Sequence, residues 1–93
     1  METAAVSGEA FLDVVAVRVV DRYELELTFS NAEIRVVDVE EDLWGPAFEP
    51  LRANYDLFAA VQVDEESGTI VWPNGADLSP ERLHATSVPA PRA

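Results

Sequence analysis

The most regular hydrophobic signal in the chain runs from Tyr23 to Phe29, where Tyr23, Leu25, Leu27 and Phe29 alternate with Glu24, Glu26 and Thr28. A period of two predicts a strand with one face on a core and the other in water. The preceding stretch, Phe11 to Val20, is rich in β-branched residues on both parities: Val15, Val17 and Val19 on one, Val14, Ala16 and Val20 on the other. That predicts a strand covered on both faces. Only Asp21 and Arg22 separate the two segments, so they are expected to pair as antiparallel neighbours. Ser30-Asn31-Ala32 supplies a second turn and Glu33 to Val36 a third strand, completing a meander. Ile34 and Val36 share one parity whereas Val37 and Val39 take the other, which places a bulge or a strand end near Val36.

The pattern changes at Glu40-Glu41-Asp42, which with Leu43, Trp44 and Gly45-Pro46 marks the exit from the sheet into irregular structure. Phe48, Leu51 and Tyr55 then fall at helical spacing, and Pro50 suits a first turn, predicting one short helix. Leu57 to Val63 reads as a strand or a helix-to-strand passage, Asp64 to Gly68 as a turn, and Thr69 to Trp72 as a returning strand, together a second hairpin. Pro73-Asn74-Gly75 signals another turn. Ser79-Pro80 then places an N-cap residue before a proline at the first position of a helical segment reaching Ala85. The expected fold class is α+β: an antiparallel three-stranded meander followed by a short helix and a second hairpin, ending in a short helix. Residues 11–86 are read as the single domain. Residues 1–10 and 87–93, made of small residues with two prolines in the latter, are read as flexible tails.

Several of these segments also carry a resemblance. Thr69-Ile-Val-Trp-Pro-Asn-Gly-Ala-Asp-Leu-Ser-Pro-Glu-Arg-Leu83, after Phe58 and Val63-Asp64, resembles the signature of the bacterial family catalogued as domain of unknown function 2442. Upstream, Phe29, Asn31-Ala32, the acidic stretch Val37 to Asp42, and Leu43-Trp-Gly-Pro-Ala-Phe-Glu-Pro-Leu51 are similar to that family's pattern, so the likeness spans about Asp13 to Leu83. Ala32 departs from it, because many relatives have glycine there. A turn needing φ > 0 at both centres would strain alanine by about 1 kcal/mol, so a different turn type is expected. The resemblance implies an α+β fold with a meander, a helix and further strands. Some relatives are fused to a helix-turn-helix domain, a pattern not found in these residues. Others are similar to proteins encoded beside a second small protein, which implies a toxin–antitoxin-like pair. A few look-alikes carry names from molybdenum-cofactor biosynthesis, but the glycine-rich phosphate loop of nucleotide transfer is absent.

Composition narrows the function. The chain has 93 residues, 48% hydrophobic and 26% charged, enough for one modest core. Eighteen acids oppose six arginines, with no lysine, for a net charge of -12. Phosphates would be repelled, so direct nucleic-acid binding is not expected, and a basic protein is the matching partner. The absence of cysteine excludes disulfides, thiolate metal sites and cysteine nucleophiles. No basic leader or membrane-length apolar run is present, which makes the cytoplasm the default location.

The chemistry-bearing residues are few. His84 is the lone imidazole, and neither Ser67, Ser79 nor Ser87 has the context of an activated nucleophile, so a surface or capping role is expected. Glu40-Glu41-Asp42 and Asp64-Glu65-Glu66 lack the spacing of a calcium loop and read as solvated turns. Asp77 is expected to cap the turn at Asn74-Gly75, or else to join Trp72 and Asn74 in a polar-rimmed recognition patch. Trp44, Phe48, Tyr55 and Phe58 are expected in or near the core, the alternative being an exposed Trp44 on an acidic surface as a binding hot spot.

The function expected is an acidic interaction module without catalytic, cofactor or metal residues. Its candidate contacts are Trp44, Glu40, Glu41, Asp42, Trp72, Asn74, Gly75 and Asp77. A minor version makes it an acidic mimic of nucleic acid, with Glu24 and Glu26 beginning a row of charges. The alternative class is a small-ligand or metal-binding protein in which Asp38, Asp64 and Asp77 converge with Arg35 or Arg82. A homodimer through an uncapped sheet edge is a further expectation.

Overall fold

In the computed structural model, residues 12–91 are described; the expected tail at residues 1–10, and Phe11, Arg92 and Ala93, lie outside the described residues. In chain order the elements are β1 (Val14–Asp21), β2 (Glu24–Phe29), β3 (Ile34–Asp38), a 3-10 turn (Glu40–Asp42), α1 (Glu49–Ala53), α2 (Tyr55–Ala59), β4 (Gln62–Asp64), β5 (Thr69–Val71), β6 (Asp77–Leu78), α3 (Pro80–Thr86) and β7 (Val88–Pro89). They make an α+β fold with two antiparallel sheets, ordered β1-β2-β3-β7 and β4-β5-β6. One core cluster collects Leu25, Leu27, Phe29 and Val37 from the first sheet, Ile70 and Leu78 from the second, and Leu51, Phe58 and Leu83 from the helices.

The meander forms as its alternation requires, with Leu25, Leu27 and Phe29 buried and Glu24, Glu26 and Thr28 on the opposite face. β1 departs from expectation. It is an edge strand, and only Val14 is fully buried. Its register with β2 shifts between Val14 and Ala16 and again between Val19 and Asp21. These irregularities leave Val15 and Val20 facing solvent, a kind of disruption that also discourages edge-to-edge pairing. β3, by contrast, pairs with β2 in unbroken register through Val36, so the expected bulge lies in β1 instead. The change of parity at Val37 simply puts Val37 and Val39 in the core while Ile34 faces out.

Residues 87–91 are a second correction, because they belong to the sheet rather than to a tail. Val88 pairs with Val36, Pro89 pairs with Arg35, and the Ala90 N–H donates to the Ile34 carbonyl at 3.0 Å. The cause is Arg35, whose Nε donates to Ser87 Oγ at 2.7 Å and whose Nη2 donates to the Ser87 carbonyl at 2.8 Å. Ser87 is thereby buried, an anchoring that depends on a partner far away in sequence. Because Pro89 has no N–H, β7 is a poor edge for a further strand.

The single expected helix is broken in two at Asn54, whose extended backbone ends α1 and whose side chain accepts the Asp56 N–H at 3.0 Å to start α2. Ser79 caps α3 as expected, accepting the Arg82 N–H at 3.1 Å ahead of Pro80.

The same turn is built twice. In both Phe29-Ser30-Asn31-Ala32-Glu33 and Trp72-Pro73-Asn74-Gly75-Ala76 the first residue's N–H donates to the fifth residue's carbonyl at 2.9 Å. In both, the fourth residue's N–H donates back to the first carbonyl, at 2.9 and 2.8 Å. The central asparagine side chain accepts the N–H two residues on, at 3.0 Å in one and 3.2 Å in the other. The fourth position is left-handed in each, φ +76° at Ala32 and +89° at Gly75. A three-residue loop needs that conformation at one position only, so the two-centre turn is avoided, yet alanine still occupies the glycine site.

The pair makes a matched experiment. Ala32→Gly should stabilise the fold by about 0.5–1 kcal/mol, part of the relieved strain being offset by the greater freedom of glycine in the unfolded chain. Gly75→Ala should destabilise it by about 1–2 kcal/mol on conformation alone, since no atom lies near the added methyl. Urea denaturation of both variants reads the two signs.

Candidate functional site

The acidic turn is set by its flanks. Asp38 Oδ1 accepts the Glu40 N–H at 2.9 Å, starting the 3-10 turn, while Val39 and Leu43 on either side sink into the core. The chain reverses at Gly45, φ +92°, and Trp44 points away from Leu43 with 66% of its surface exposed. The Arg52 guanidinium, carried by α1, lies over the indole at 4.2 Å from the ring centroid. Trp44 is therefore exposed rather than core, Tyr55 is also largely exposed, Phe48 is half-buried, and only Phe58 of the four expected aromatics is fully inside.

Three adjoining hollows extend from Trp44. The first, about 320 Å³, lies between Trp44, Pro46, Glu49 and Arg52. The second, about 340 Å³, shares Glu49 and Arg52 and reaches Arg22, Tyr23 and Glu40. The third, about 200 Å³, shares Arg22, Tyr23 and Glu40 and ends at Asp21, Glu24 and Asp38. Together they form a shallow groove, aromatic at one end and acidic at the other. Glu24 and Asp38 are direct cross-strand neighbours there, a like-charge pairing that disfavours the isolated chain.

The eight sequence-expected contact residues separate. Trp44, Glu40 and Glu41 are exposed together. Asp42 is not available with them: its side chain is 8% exposed, and Arg82 Nε donates to Oδ1 at 2.8 Å while Nη2 reaches the same oxygen, tying α3 to the turn. Trp72 is buried, its indole N–H donating to the Phe58 carbonyl at 2.9 Å. Asn74 is structural as well, with Nδ2 donating to the Ala47 carbonyl at 2.8 Å and Oδ1 serving the turn; it takes the capping role expected of Asp77. Gly75 supplies the left-handed backbone, and Asp77 lies exposed on β6, so no patch forms around Trp72. Arg22, Tyr23, Glu49 and Arg52 are groove residues that the sequence did not mark as candidate contacts, since only the fold brings α1 beside the β1–β2 turn, and Glu24, expected only in a row of charges, joins them.

The alternative ligand set is likewise scattered. Asp38 binds its own turn, Asp64 Oδ1 accepts the Glu66 N–H, Arg35 holds Ser87, and Arg82 holds Asp42. Among the described residues no group of three or more side chains is placed to hold a metal ion. His84 packs edge-on to Phe29, and its Nε2 bonds Glu33 Oε1 at 2.7 Å; a carboxylate only accepts, so that nitrogen carries the proton. The Asn31 amide first, and the His84 ring second, hold Glu33 below the usual glutamate range, with Arg35 adding attraction.

Geometry thus defines a small acidic α+β domain with a surface groove. A family model described as a protein of unknown function (DUF2442) matches residues 14–89, and the chain belongs to that family. No curated protein and no solved structure matches it. Among the described residues no helix is long and apolar enough to cross a membrane.

Two outcomes follow from this arrangement. Trp44→Ala should change stability by no more than about 0.5 kcal/mol, whereas Trp72→Ala should cost about 3–5 kcal/mol; acrylamide should quench Trp44 and spare Trp72 in single-tryptophan variants. Glu33, with its folded pKa lowered from 4.5, contributes stability that is present above that value and lost as pH falls through the folded pKa. Glu33→Gln should therefore flatten the stability profile below about pH 4.5, as read by denaturation at stepped pH.

Proposed function

We propose that this protein is an acidic, non-catalytic interaction module of the cytoplasm, and that it serves as the partner of a neighbouring small basic protein in a toxin–antitoxin-like pair. The observation that carries the reading is Trp44. An indole 66% exposed, held by Arg52 at the head of a groove that ends in carboxylates, is costly to leave in water and well suited to bind an aromatic or aliphatic side chain flanked by cations. The surplus of acids adds steering: a net charge of -12 accelerates encounter with a basic surface and does so less as salt screens it. For the ligand-binding alternative, Asp38 and Asp64 are each occupied in their own turns and Asp77 lies exposed on β6.

Capture of the tagged protein from its native cytoplasm, at low and high salt, tests the reading. A stoichiometric basic partner is expected, released at high salt and lost with Trp44→Ala, together with a roughly tenfold or greater loss of affinity for the purified pair. A complex indifferent to salt and to Trp44→Ala would overturn it.

A further inference from the structure

The outer face of the four-stranded sheet has nothing packed on it among the described residues. Cross-strand registers place Ala16, Thr28 and Ile34 in one row on this face and Arg18, Glu26, Val36 and Val88 in the next. Ile34 is 49% and Val88 59% exposed, while Val36 between them is half-buried. A hollow of about 540 Å³ opens between Glu26, Ile34 and Pro89. The apolar part of these rows is the stripe Ile34, Val36 and Val88; beside it on the face Arg18 Nε pairs with Glu26 at 2.8 Å, and beyond it Glu24 lies opposite Asp38. Solvated sheet faces are ordinarily polar, so an apolar band bordered by a like-charge pair asks for an occupant with the complementary layout.

Charge and edge chemistry select that occupant. A second copy would bring together two chains that each carry a net charge of -12, a repulsion that a cationic occupant does not meet. A strand added beside β7 would meet Pro89, which offers no N–H. What remains is an element lying on the face. Four strands at about 4.8 Å spacing span roughly 14 Å, the width of one helix with its side chains. We infer that this face docks a basic amphipathic helix of a partner protein, its apolar stripe over Ile34, Val36 and Val88 and its Lys or Arg side chains over Glu24 and Asp38. The inference rests on the reading that the protein acts by contact with a basic partner, and extends that contact to an apolar stripe away from Trp44, sharing Glu24 and Asp38 with the acidic end of the groove.

The probe is a helical peptide of leucine and lysine, roughly 18 residues or five turns long, with a control of the same composition shuffled to remove the apolar stripe. Titrated into the isotope-labelled full chain, the amphipathic peptide should shift the amide signals of Thr28, Ile34, Val36 and Val88, with affinity falling as salt rises. It should bind about tenfold tighter than the shuffled control, and Ile34→Thr and Val88→Thr, which keep β-branching, should each weaken it about fivefold. Equal response to both peptides would reduce the effect to net charge and overturn the inference. Shifts centred on the Trp44 indole would overturn it while leaving the groove reading intact. Concentration-dependent shifts on this face without peptide would also overturn it, by showing a second copy there. Loss of partner capture by Trp44→Ala has no bearing on these readouts, so the two proposals fail separately.

Discussion

The indole N–H of Trp72, donating to the carbonyl of Phe58, ties the end of the second sheet to the helical segment, beside the one backbone bond from Val14 N–H to the Gly68 carbonyl that links the two sheets among the described residues. Trp72 leaves β5 at the mouth of a turn, and Phe58 lies near the end of α2, so one bond at 2.9 Å couples the second sheet to the helices. The Trp72 ring is tilted against Phe58 at 5.8 Å and meets Phe48 edge-on at 6.3 Å; Phe58 in turn meets Tyr23 edge-on at 5.0 Å. Tyr23 belongs to the first hairpin, whose turn also accepts the Tyr55 hydroxyl at the Arg22 carbonyl, 2.5 Å away. A continuous aromatic path therefore runs from the second sheet to the first. In a domain this small, each such ring supplies a large share of the buried apolar area.

Charge is distributed with equal economy. The five described arginines are all engaged within the chain: Arg18 with Glu26, Arg35 with Glu33 and Ser87, Arg82 with Asp42, Arg22 over Tyr23 and Arg52 over Trp44. The remaining acids have few cations left to neutralise them. In the groove Arg22 and Arg52 stand over aromatic rings rather than against carboxylates, and on the sheet face Arg18 is taken by Glu26, so both proposals look to a basic partner for the remaining acids.

Where sequence was informative, the responsible signal was local. The alternation from Tyr23 to Phe29, the Ser79-Pro80 cap and the turn pairs at Asn31 and Asn74 each act within a few residues, and each element appeared where expected. Errors arose where a distant partner decides the outcome. Valines on both parities of β1 suggested two covered faces, yet strand order put β1 at an edge. The residues after Thr86 looked unpackable until Arg35, 52 positions away, bound Ser87. Trp44 and Trp72 are indistinguishable by hydropathy, and only Gly45 and the path of α1 send one outward. The candidate contacts divide for the same reason: adjacency in the motif around Trp72 reflects a turn, whereas the groove beside Trp44 assembles residues from β1, β2, β3, the 3-10 turn and α1.

The sheet also closes in an uneven way. β1, β2 and β3 join through short turns, and β4, β5 and β6 do likewise, so those pairings require little loop entropy. Pairing of β3 with β7 instead joins Ile34 to Ala90 across almost the whole intervening chain. A contact of such long range costs more loop-closure entropy than the hairpin pairings do. Release of β7 would uncover the Arg35 guanidinium and remove Val88 from beside Val36, so what the sheet presents depends on the seating of this one short strand.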